Sequence, residues 1–339
     1  MRVQPNHVAQ YWHTLTGGGV QCDLCPQKCC LKEGQYGKCR VRSCRNNQMV
    51  AIYGKVSGIG ADPIEKKPLY HFLPGSRILS FGTIGCNLSC DFCQNWDISS
   101  ADDANVLQER TISSLIDLAR QTHCKSIAFT YNEPIVFIEY ATDVAAKSRA
   151  LGLHTVAVTN GYVCGKPRTD FFSLIDAANI DLKAFSDNFY RKITHATLAP
   201  VLDTLMYLKH QTKVWLEITY LIIPGENDAP QELTAASQWI AQNLGCDVPL
   251  HFSAFYPTWR MLAHAPTPPS TLYLARDLAR AAGLYYVYTG NIHDAEGSNT
   301  YCHQCGKCII TRDGFKITSY DLAAGGACRF CAAKCSGFF

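Results

Sequence analysis

The chain has 339 residues, 47% of them hydrophobic, and a formal net charge of +3. This length and composition predict one large core with small appendages, and the balanced charge gives no reason to expect a nucleic acid or an anionic membrane as a partner. The chain opens without a basic segment followed by an apolar one, and no apolar run reaches the roughly 18 residues of a membrane span. We therefore expect a soluble, unprocessed protein.

Cysteine is the informative residue type, because most of the 18 cysteines form three clusters with C-x2-C or C-x3-C spacing. Without a secretion signal, such clusters favour metal or iron-sulfur ligation over disulfides and predict a protein of the reducing cytoplasm. A disulfide-rich secreted protein is the alternative, but neighbours as close as Cys22 and Cys25 would form short, strained bridges.

The first cluster lies in a cysteine-rich segment that we assign, with its lead-in, to residues 1–75. Four thiolates in a compact knuckle suffice for a tetrahedral zinc ion or for an auxiliary iron-sulfur cluster, and the spacing leaves the choice open. The candidate ligands are Cys22, Cys25, Cys29 and Cys39. Cys30 and Cys44 exceed this quartet and are interpreted as spare thiols, which behave as small buried hydrophobes.

Residues 76–296 alternate short apolar, β-rich runs with helical patterns, which predicts βαβ units and a parallel sheet. The predicted strands are 78–81, 127–129, 156–158, 180–182, 214–223, 250–255 and 284–288. One predicted helix repeats apolar residues from Ile112 to Ala119 at helical spacing, and an alanine-rich one runs from Pro134 to Leu151.

Six or seven such units are too few for a closed eight-unit barrel, so the choice is between a partial barrel and a doubly wound open sheet. Polar residues follow many different strands, as they do at the carboxyl face of a barrel. They are Cys86, Asn132, Glu133, Asn160, Asp181, Lys183 and Tyr256. The predicted fold is α/β, a partial (β/α)6-type barrel with a small cysteine-rich N-terminal appendage and a zinc-ribbon-like C-terminal one.

The C-terminal appendage, assigned to residues 297–339, carries two C-x2-C pairs separated by an apolar, turn-containing stretch. Such pairs predict a zinc ribbon, because a closed four-cysteine zinc site folds a small unit of this kind. The predicted zinc ligands are Cys302, Cys305, Cys328 and Cys331. Cys308 and Cys335 extend the two halves and leave an iron-sulfur cluster or a second metal open.

The central motif, C-x3-C-x2-C, lies on the loop after the first barrel strand and consists of Cys86, Cys90 and Cys93. A [4Fe-4S] cluster normally takes four cysteine ligands, so three leave one iron open, and that iron can bind the amino and carboxylate groups of S-adenosylmethionine (SAM). A zinc knot that borrows a fourth ligand such as Cys124 is the alternative, which spacing alone does not exclude.

The motif resembles the signature of the radical-SAM superfamily, including the aromatic Phe92 directly before the third cysteine. This resemblance implies that Phe92 belongs to the SAM-binding residues. Further along the barrel, residues 130–134 resemble the superfamily's element that receives the methionine amino group. Residues 158–161 and 181–183 resemble the corresponding segments of pyruvate formate-lyase activating enzymes. The resemblance implies three sets of SAM contacts: Asn132 and Glu133 with the amino group, Asn160 and Lys183 with the carboxylate or ribose, and Asp181 with the adjacent polar edge.

With segments 62–72, 93–96 and 181–185 and both cysteine-rich ends, the chain from about Cys22 to Phe339 resembles the AmmeMemoRadiSam-system radical-SAM enzymes. This resemblance implies a Memo-like and an AMMECR-like protein as partners. The chemistry it implies is reductive cleavage of SAM to methionine and a 5′-deoxyadenosyl radical, which abstracts hydrogen from a substrate, with flavodoxin or ferredoxin as the electron donor.

Two enzymatic functions stay open, namely catalysis on a small molecule with the two partners and activation of another enzyme by a glycyl radical. The non-enzymatic alternative is a multi-zinc module that binds nucleic acid or protein, which normally has a basic face. The loop from Glu65 to His71 is a candidate roof over the site, with Lys66 or His71 in contact with substrate. A solvated charged turn is the alternative.

Overall fold

A computed structural model describes residues 4–5, 7–101 and 104–339 of the chain, and its N-terminal part consists of short strands. They are β1 (His7–Val8), β2 (Trp12–Thr14), β3 (Val20–Cys22), β4 (Cys30–Leu31), β5 (Arg42–Arg45), β6 (Gln48–Ala51) and β7 (Lys55–Val56). Two antiparallel sheets form, with the strand orders β1-β6-β5 and β2-β3-β4. The N-terminal cysteines therefore lie within and between small sheets of their own.

The strands of the middle region follow in chain order: β8 (Gly58–Pro63), β9 (Arg77–Gly82), β10 (Gln108–Glu109), β11 (Ser126–Phe129), β12 (His154–Thr159), β13 (Ala177–Asp181), β14 (Trp215–Ile222), β15 (Leu250–Ala254) and β16 (Val287–Gly290). One eight-stranded sheet contains all of them except β10, which pairs with β7. From β9 to β16 every neighbouring pair in this sheet is parallel, while β8 pairs antiparallel with β9.

The helices are α1 (Trp96–Ser99), α2 (Ile112–Gln121), α3 (Ile138–Ala150), α4 (Gly165–Phe172), α5 (Asp187–Phe189), α6 (Ala199–Gln211), α7 (Pro230–Asn243), α8 (Pro269–Ala281) and α9 (Ala295–Ser298). Short 3-10 helices span Ile64–Lys66, Ala104–Val106 and Pro134–Phe137, and a π-helix spans Tyr190–Thr194. Among the described residues, none of the helices combines the length and apolar character needed to cross a bilayer.

Helix α2 illustrates how local sequence sets these elements. The Thr111 side chain caps its first turn by accepting a hydrogen bond from the Ser114 amide, which satisfies an amide that lacks an intrahelical partner. Leu115, Ile116 and Ala119 are buried, as their helical spacing predicts. The apolar face thus packs the helix onto the parallel sheet.

The sheet is curled around a cavity at the carboxyl ends of its strands. Strands lie about 4.8 Å apart, so β9 and β16, six positions apart, would be about 29 Å from each other in a flat sheet. Yet Cys86, after β9, and Asn291, after β16, line the same cavity of about 340 Å³. This convergence confirms the predicted α/β partial barrel.

The C-terminal part forms a small β unit against the barrel. Its strands are β17 (Thr300–Tyr301), β18 (Cys308–Asp313), β19 (Lys316–Tyr320), β20 (Leu322–Ala323) and β21 (Ala327–Cys328). The first three form one antiparallel sheet and the last two form a hairpin.

The segment between β8 and β9 forms the floor of the barrel cavity. The backbone amides of Tyr70 and His71 donate to the two carboxylate oxygens of Glu217 at 3.0 and 2.8 Å. Glu217 points into the barrel from β14, closer to the amino end of that strand than the cavity-lining Thr219. The segment therefore lies beneath the cavity and does not roof it. Of its two predicted substrate contacts, Lys66 lines the cavity and His71 does not. The fully buried His71 and Glu65 show that the segment is no solvated turn either.

Arg312 of β18 joins the C-terminal unit to this floor. Its guanidinium is buried, donates to the Tyr70 carbonyl oxygen at 2.9 Å and lies 4.2 Å from the centre of the Tyr70 ring. The same group donates to the Thr300 hydroxyl at 2.9 Å. The C-terminal unit is thus hydrogen-bonded to the segment that lines the cavity from below.

His71 makes the stability of this floor sensitive to acid. Burial lowers its pKa from 6.5 to about 4, against the nearby Glu217 carboxylate, while Arg312 and His251 lower it further. Between these two pH values the unfolded chain takes up a proton that the folded protein does not, so falling pH should reduce the free energy of unfolding by about 3 kcal/mol. The midpoint of thermal unfolding at pH 7, 6, 5 and 4 measures this.

The test variant is His71→Asn, which keeps a donor for the Ser336 carbonyl oxygen. The control variant is His293→Asn, on the exposed loop after β16. The His71→Asn variant should be less stable than the wild type at pH 7. Its free energy of unfolding should, however, change less than that of the wild type between pH 7 and 5. A pH profile parallel to that of the wild type would contradict this assignment.

Candidate active site and metal centres

The barrel cavity collects the residues predicted for the central site. Cys86, Cys90 and Cys93 all line it. The other residues predicted to contact SAM line it too: Phe92, Asn132, Glu133, Asn160, Asp181 and Lys183. Tyr256, also predicted at the carboxyl face, is half exposed and donates to the Asn291 carbonyl oxygen at the same end of the barrel. The fold brings residues from four successive strand ends around one space.

Asn132 holds the loop that carries the three cysteines. Its Oδ1 accepts the Thr83 amide at 2.9 Å, and its Nδ2 donates to the carbonyl oxygens of Ile84 and Gly85 at 3.0 and 2.9 Å. These bonds satisfy buried backbone groups of a loop without regular secondary structure. The side-chain amide is thus engaged by the protein itself, and Asn132 acts as a positioning residue.

Two further contacts fix the same loop. Gly85 has a φ of +82°, and a Cβ there would clash with the carbonyl oxygen of Cys39, so glycine is required. On the other side, the amides of Ser89 and Asp91 donate to carbonyl oxygens of the π-helix at 3.1 and 3.0 Å. The cysteine loop is therefore held between the N-terminal region and the connection that follows β13.

Glu133 is buried at the start of a 3-10 helix, and its carboxylate joins two strand ends. It accepts hydrogen bonds from the Thr159 hydroxyl at 2.6 Å, the Asn160 amide at 2.9 Å and the Ile135 amide at 3.1 Å. Burial raises the pKa of Glu133 to about 7 in spite of these bonds. A cationic amine in the cavity would favour the ionised carboxylate.

Asn160 links the end of β12 to the cysteine loop. Its Nδ2 donates to Asn87 Oδ1 at 2.9 Å and lies 3.8 Å from the Cys86 sulfur, while its Oδ1 accepts the Tyr162 amide at 2.9 Å. Like Asn132, Asn160 therefore positions the loop through its side-chain amide.

Lys183 and Asp181 form an ion pair on the opposite wall. The Lys183 Nζ lies 2.7 Å from Asp181 Oδ2 and 5.9 Å from the centre of the Phe92 ring. Burial alone would lower the pKa of Lys183, but the charges of Asp181 and the Cys90 thiolate outweigh it and raise the pKa. This wall therefore offers a permanent cation to a ligand.

The central thiols suit a bound metal cluster. Burial raises the pKa of Cys90 to about 12, against the opposing charge of Lys183, and burial also raises the pKa of Cys86. Metal binding deprotonates such thiols and compensates for their desolvation. Three convergent sulfur donors beside an open polar cavity fit a cluster with one open coordination position.

Sequence reasoning missed part of the cavity wall. Lys67 is buried, lies 3.0 Å from Asp62 Oδ2 and sits 5.1 Å from the centre of the Tyr131 ring. Lys66, which was predicted as a possible substrate contact, shares the same carboxylate at 3.0 Å. Further cavity residues that were not predicted are Gln94, Asn95, Tyr131, Thr219, Ser253 and Asn291. The alternation of polar residues within apolar β14 and β15 was the available signal for Thr219 and Ser253.

Cys124 lies at the other end of the barrel. It precedes β11, whose carboxyl end faces the cavity, and its sulfur contacts the Thr122 hydroxyl at 3.3 Å. The zinc knot that borrows Cys124 is therefore incompatible with the fold.

A sequence model of the radical SAM superfamily matches residues 81–236, from the end of β9 into α7. Residues 81–236 therefore form a radical SAM superfamily domain. Such a domain implies a [4Fe-4S] cluster and SAM, and it identifies the protein as an enzyme. The comparisons give the alternative of a multi-zinc binding module no better support than the enzyme.

Relatives of this radical SAM enzyme differ in how much of the chain they cover. An uncharacterized protein of Methanocaldococcus jannaschii is 40% identical over 330 residues, which are 96% of this chain and 98% of that protein. A pyruvate formate-lyase-activating enzyme of Listeria monocytogenes is 24% identical over 184 residues, which are 49% of this chain and 70% of that enzyme.

Among solved structures, a radical SAM methyltransferase from Sphaerobacter thermophilus matches with a TM-score of 0.51 and 14% identity, over 70% of this chain and 71% of that one. At this identity the likeness concerns the fold alone. It supports the curled parallel sheet as a radical SAM barrel.

The C-terminal quartet forms a compact group that could hold a metal ion. The ligand atoms of Cys302, Cys305, Cys328 and Cys331 all lie within 4.8 Å of one another. The sulfurs of Cys302 and Cys331 are 3.6 Å apart, and those of Cys305 and Cys328 are 3.8 Å apart. Four thiolates around one tetrahedral ion with bonds of about 2.3 Å are separated by about 3.8 Å.

The two extra cysteines of the C-terminal unit lie outside that quartet. The Cys308 sulfur lies 3.5 Å from the Thr311 hydroxyl, and the buried Cys335 sulfur lies 3.8 Å from His71 Nδ1. Neither joins the group that could hold a metal.

The N-terminal quartet also surrounds one space. Cys22, Cys25, Cys29 and Cys39 line a cavity of about 20 Å³. Cys44 is fully buried, as expected of a spare thiol, whereas Cys30 is exposed and donates to Gln21 Oε1, so the expectation that it is buried is wrong.

Because the four C-terminal sulfurs are spaced for one metal ion, we expect the Cys328→Ser variant to lose that ion. Removing one thiolate from a closed four-cysteine site should release about one metal ion per chain and lower the midpoint of thermal unfolding, because metal binding stabilises such units. Elemental analysis and calorimetry measure both effects. Cys308→Ser, in the same unit but outside the quartet, should keep the metal, and equal loss from both variants would argue against the site.

Proposed function

We propose that this enzyme binds SAM across the barrel cavity, cleaves it reductively to methionine and a 5′-deoxyadenosyl radical, and uses the radical to abstract hydrogen from a substrate. The observation that carries the proposal is the shared cavity of Cys86, Cys90 and Cys93 with the polar ends of the neighbouring strands. A [4Fe-4S] cluster held by these three cysteines supplies, when bound, the electron for the cleavage.

The charges on the cavity walls support a bound amino acid moiety of SAM. Glu133 offers a buried carboxylate that an amino group would keep ionised, and Lys183 offers a cation for a carboxylate or for ribose oxygens. Asn132 and Asn160 act through the cysteine loop that they hold. These residues orient SAM, and the apolar barrel around them keeps water from the radical.

The protein's other ligands and partners are part of the proposal. The C-terminal quartet binds zinc, since its sulfur spacing suits one tetrahedral ion. A flavodoxin or ferredoxin supplies the electron, because the cluster must work at a strongly negative potential. A Memo-like and an AMMECR-like protein act with the enzyme, by its resemblance to AmmeMemoRadiSam-system enzymes from Cys22 to Phe339. The cysteine chemistry supports a place in the cytoplasm.

The similarity of half of the chain to the Listeria activating enzyme favours a second candidate, the activation of a glycyl-radical enzyme. The two functions differ in which molecule loses hydrogen to the 5′-deoxyadenosyl radical, a small-molecule substrate or a glycine residue of another enzyme. A glycyl-radical signal in the electron paramagnetic resonance (EPR) spectrum of a partner enzyme would support activation.

For the first function, the tagged chain coexpressed with the Memo-like and AMMECR-like proteins should elute with them as one complex, and separate elution would count against these partners.

The central experiment measures SAM cleavage by the full-length protein. After anaerobic loading with iron and sulfide, and with dithionite as reductant, it should convert SAM to 5′-deoxyadenosine, quantified by mass spectrometry. Cys90→Ala should abolish the product, because one ligand of the cluster is lost. Lys183→Met should raise the KM for SAM about tenfold, because a charge-assisted hydrogen bond is lost.

Cys124→Ala is the matched control, since this cysteine is buried at the opposite end of the barrel. It should retain wild-type product formation. A wild-type protein that is fully loaded with iron yet forms no 5′-deoxyadenosine would refute the proposed function.

A further inference from the structure

The N-terminal quartet differs from the C-terminal one in the spacing of its sulfurs. Within 7–101 and 104–339, the C-terminal quartet is the one group in which at least three ligand atoms lie within 4.8 Å of one another. The four N-terminal sulfurs line a common cavity but do not reach that proximity. They are therefore spread too widely for one tetrahedral ion, whose thiolates lie about 3.8 Å apart.

The central cysteines provide an internal standard for this wider spacing. Cys86, Cys90 and Cys93 also face one cavity without forming a compact group. In a [4Fe-4S] cluster each thiolate binds a different iron corner of a cube, so the sulfurs stand further apart than around a single ion. The N-terminal quartet thus shares the geometry of the cluster site and lacks that of the C-terminal site.

The space between the N-terminal sulfurs also favours a cluster over a single metal ion. Their cavity of about 20 Å³ has room for a water-sized body, whereas four thiolates in contact with one metal ion leave no such space. Lys38 lines the same cavity, and its positive charge suits an anionic centre with four thiolate ligands. Arg42 lines it too, but its charge is paired with Glu139 at 2.9 Å.

We propose that Cys22, Cys25, Cys29 and Cys39 bind a second [4Fe-4S] cluster. This assignment resolves the alternatives that the cysteine spacing left open, zinc or a cluster, and it is independent of what the central site does with SAM. All four irons of the second cluster have protein ligands, so this cluster has no open position for SAM.

The second site lies directly against the loop of the central site. Gln27 and Asn87 both line the N-terminal cavity, and the Gln27 Nε2 donates to the Asn87 carbonyl oxygen at 2.9 Å. Asn87 directly follows Cys86, and the Cys39 carbonyl oxygen packs against Gly85 on the other side of it. The two clusters are therefore separated by little more than one stretch of loop backbone.

The test counts iron and zinc in the full-length chain after anaerobic loading with iron and sulfide. The wild type should hold about eight irons, four per cluster. The triple variant Cys86→Ala/Cys90→Ala/Cys93→Ala should keep about four irons and, after dithionite reduction, the EPR signal of a one-electron-reduced [4Fe-4S] cluster. A triple variant without iron, or with two zinc ions per chain, would overturn the proposal.

Variants of the N-terminal quartet give the reciprocal result. Cys25→Ser should lose about half of the wild-type iron, whereas Cys30→Ser, an exposed neighbour outside the cavity, should keep all of it. Equal iron in Cys25→Ser and wild type would overturn the proposal. If the Cys25→Ser variant fails to fold, the iron content of the triple variant still tests the proposal. Eight irons without SAM cleavage would refute the proposed function and leave this inference standing.

Discussion

The side-chain amide of Asn132 satisfies the buried carbonyl groups of the cysteine loop, and much of the site depends on this interaction. Irregular backbone can be buried only where its polar groups find partners. The carbonyl oxygens of Ile84 and Gly85 find theirs in one residue from the next strand end. The loop therefore keeps a single shape, and that shape directs three thiols into the barrel cavity.

The two cysteine-rich ends meet the barrel at different places. The N-terminal region packs against the cysteine loop itself, through the Cys39 carbonyl oxygen and Gly85. The C-terminal unit meets the floor, where Arg312 binds the Tyr70 carbonyl oxygen and Glu217 holds the adjacent amides. Both ends thus support the cavity, one beside the thiols and one beneath the cavity, although neither is part of the barrel.

The errors of sequence interpretation share a physical cause. The segment from Glu65 to His71 appears as a solvated charged turn, yet most of it is buried because Glu217, some 150 residues away in the chain, accepts two of its amides. Asn132 was predicted as a SAM contact, and the hydrogen bonds by which its side-chain amide holds the cysteine loop could not be predicted from the sequence. Local sequence does not show which buried groups will need partners from distant strands.

The sequence by itself determined the alternation of strands and helices, the polar residues at strand ends and the three cysteine clusters, because periodicity and thiol spacing are local properties of a chain. Tertiary structure alone decided that the sheet curls around one cavity, that the 64–76 segment is its floor and that Cys124 lies at the far end. It also separated the compact C-terminal quartet from the wider N-terminal one. These features depend on distances between segments that are remote in sequence, which only packing sets.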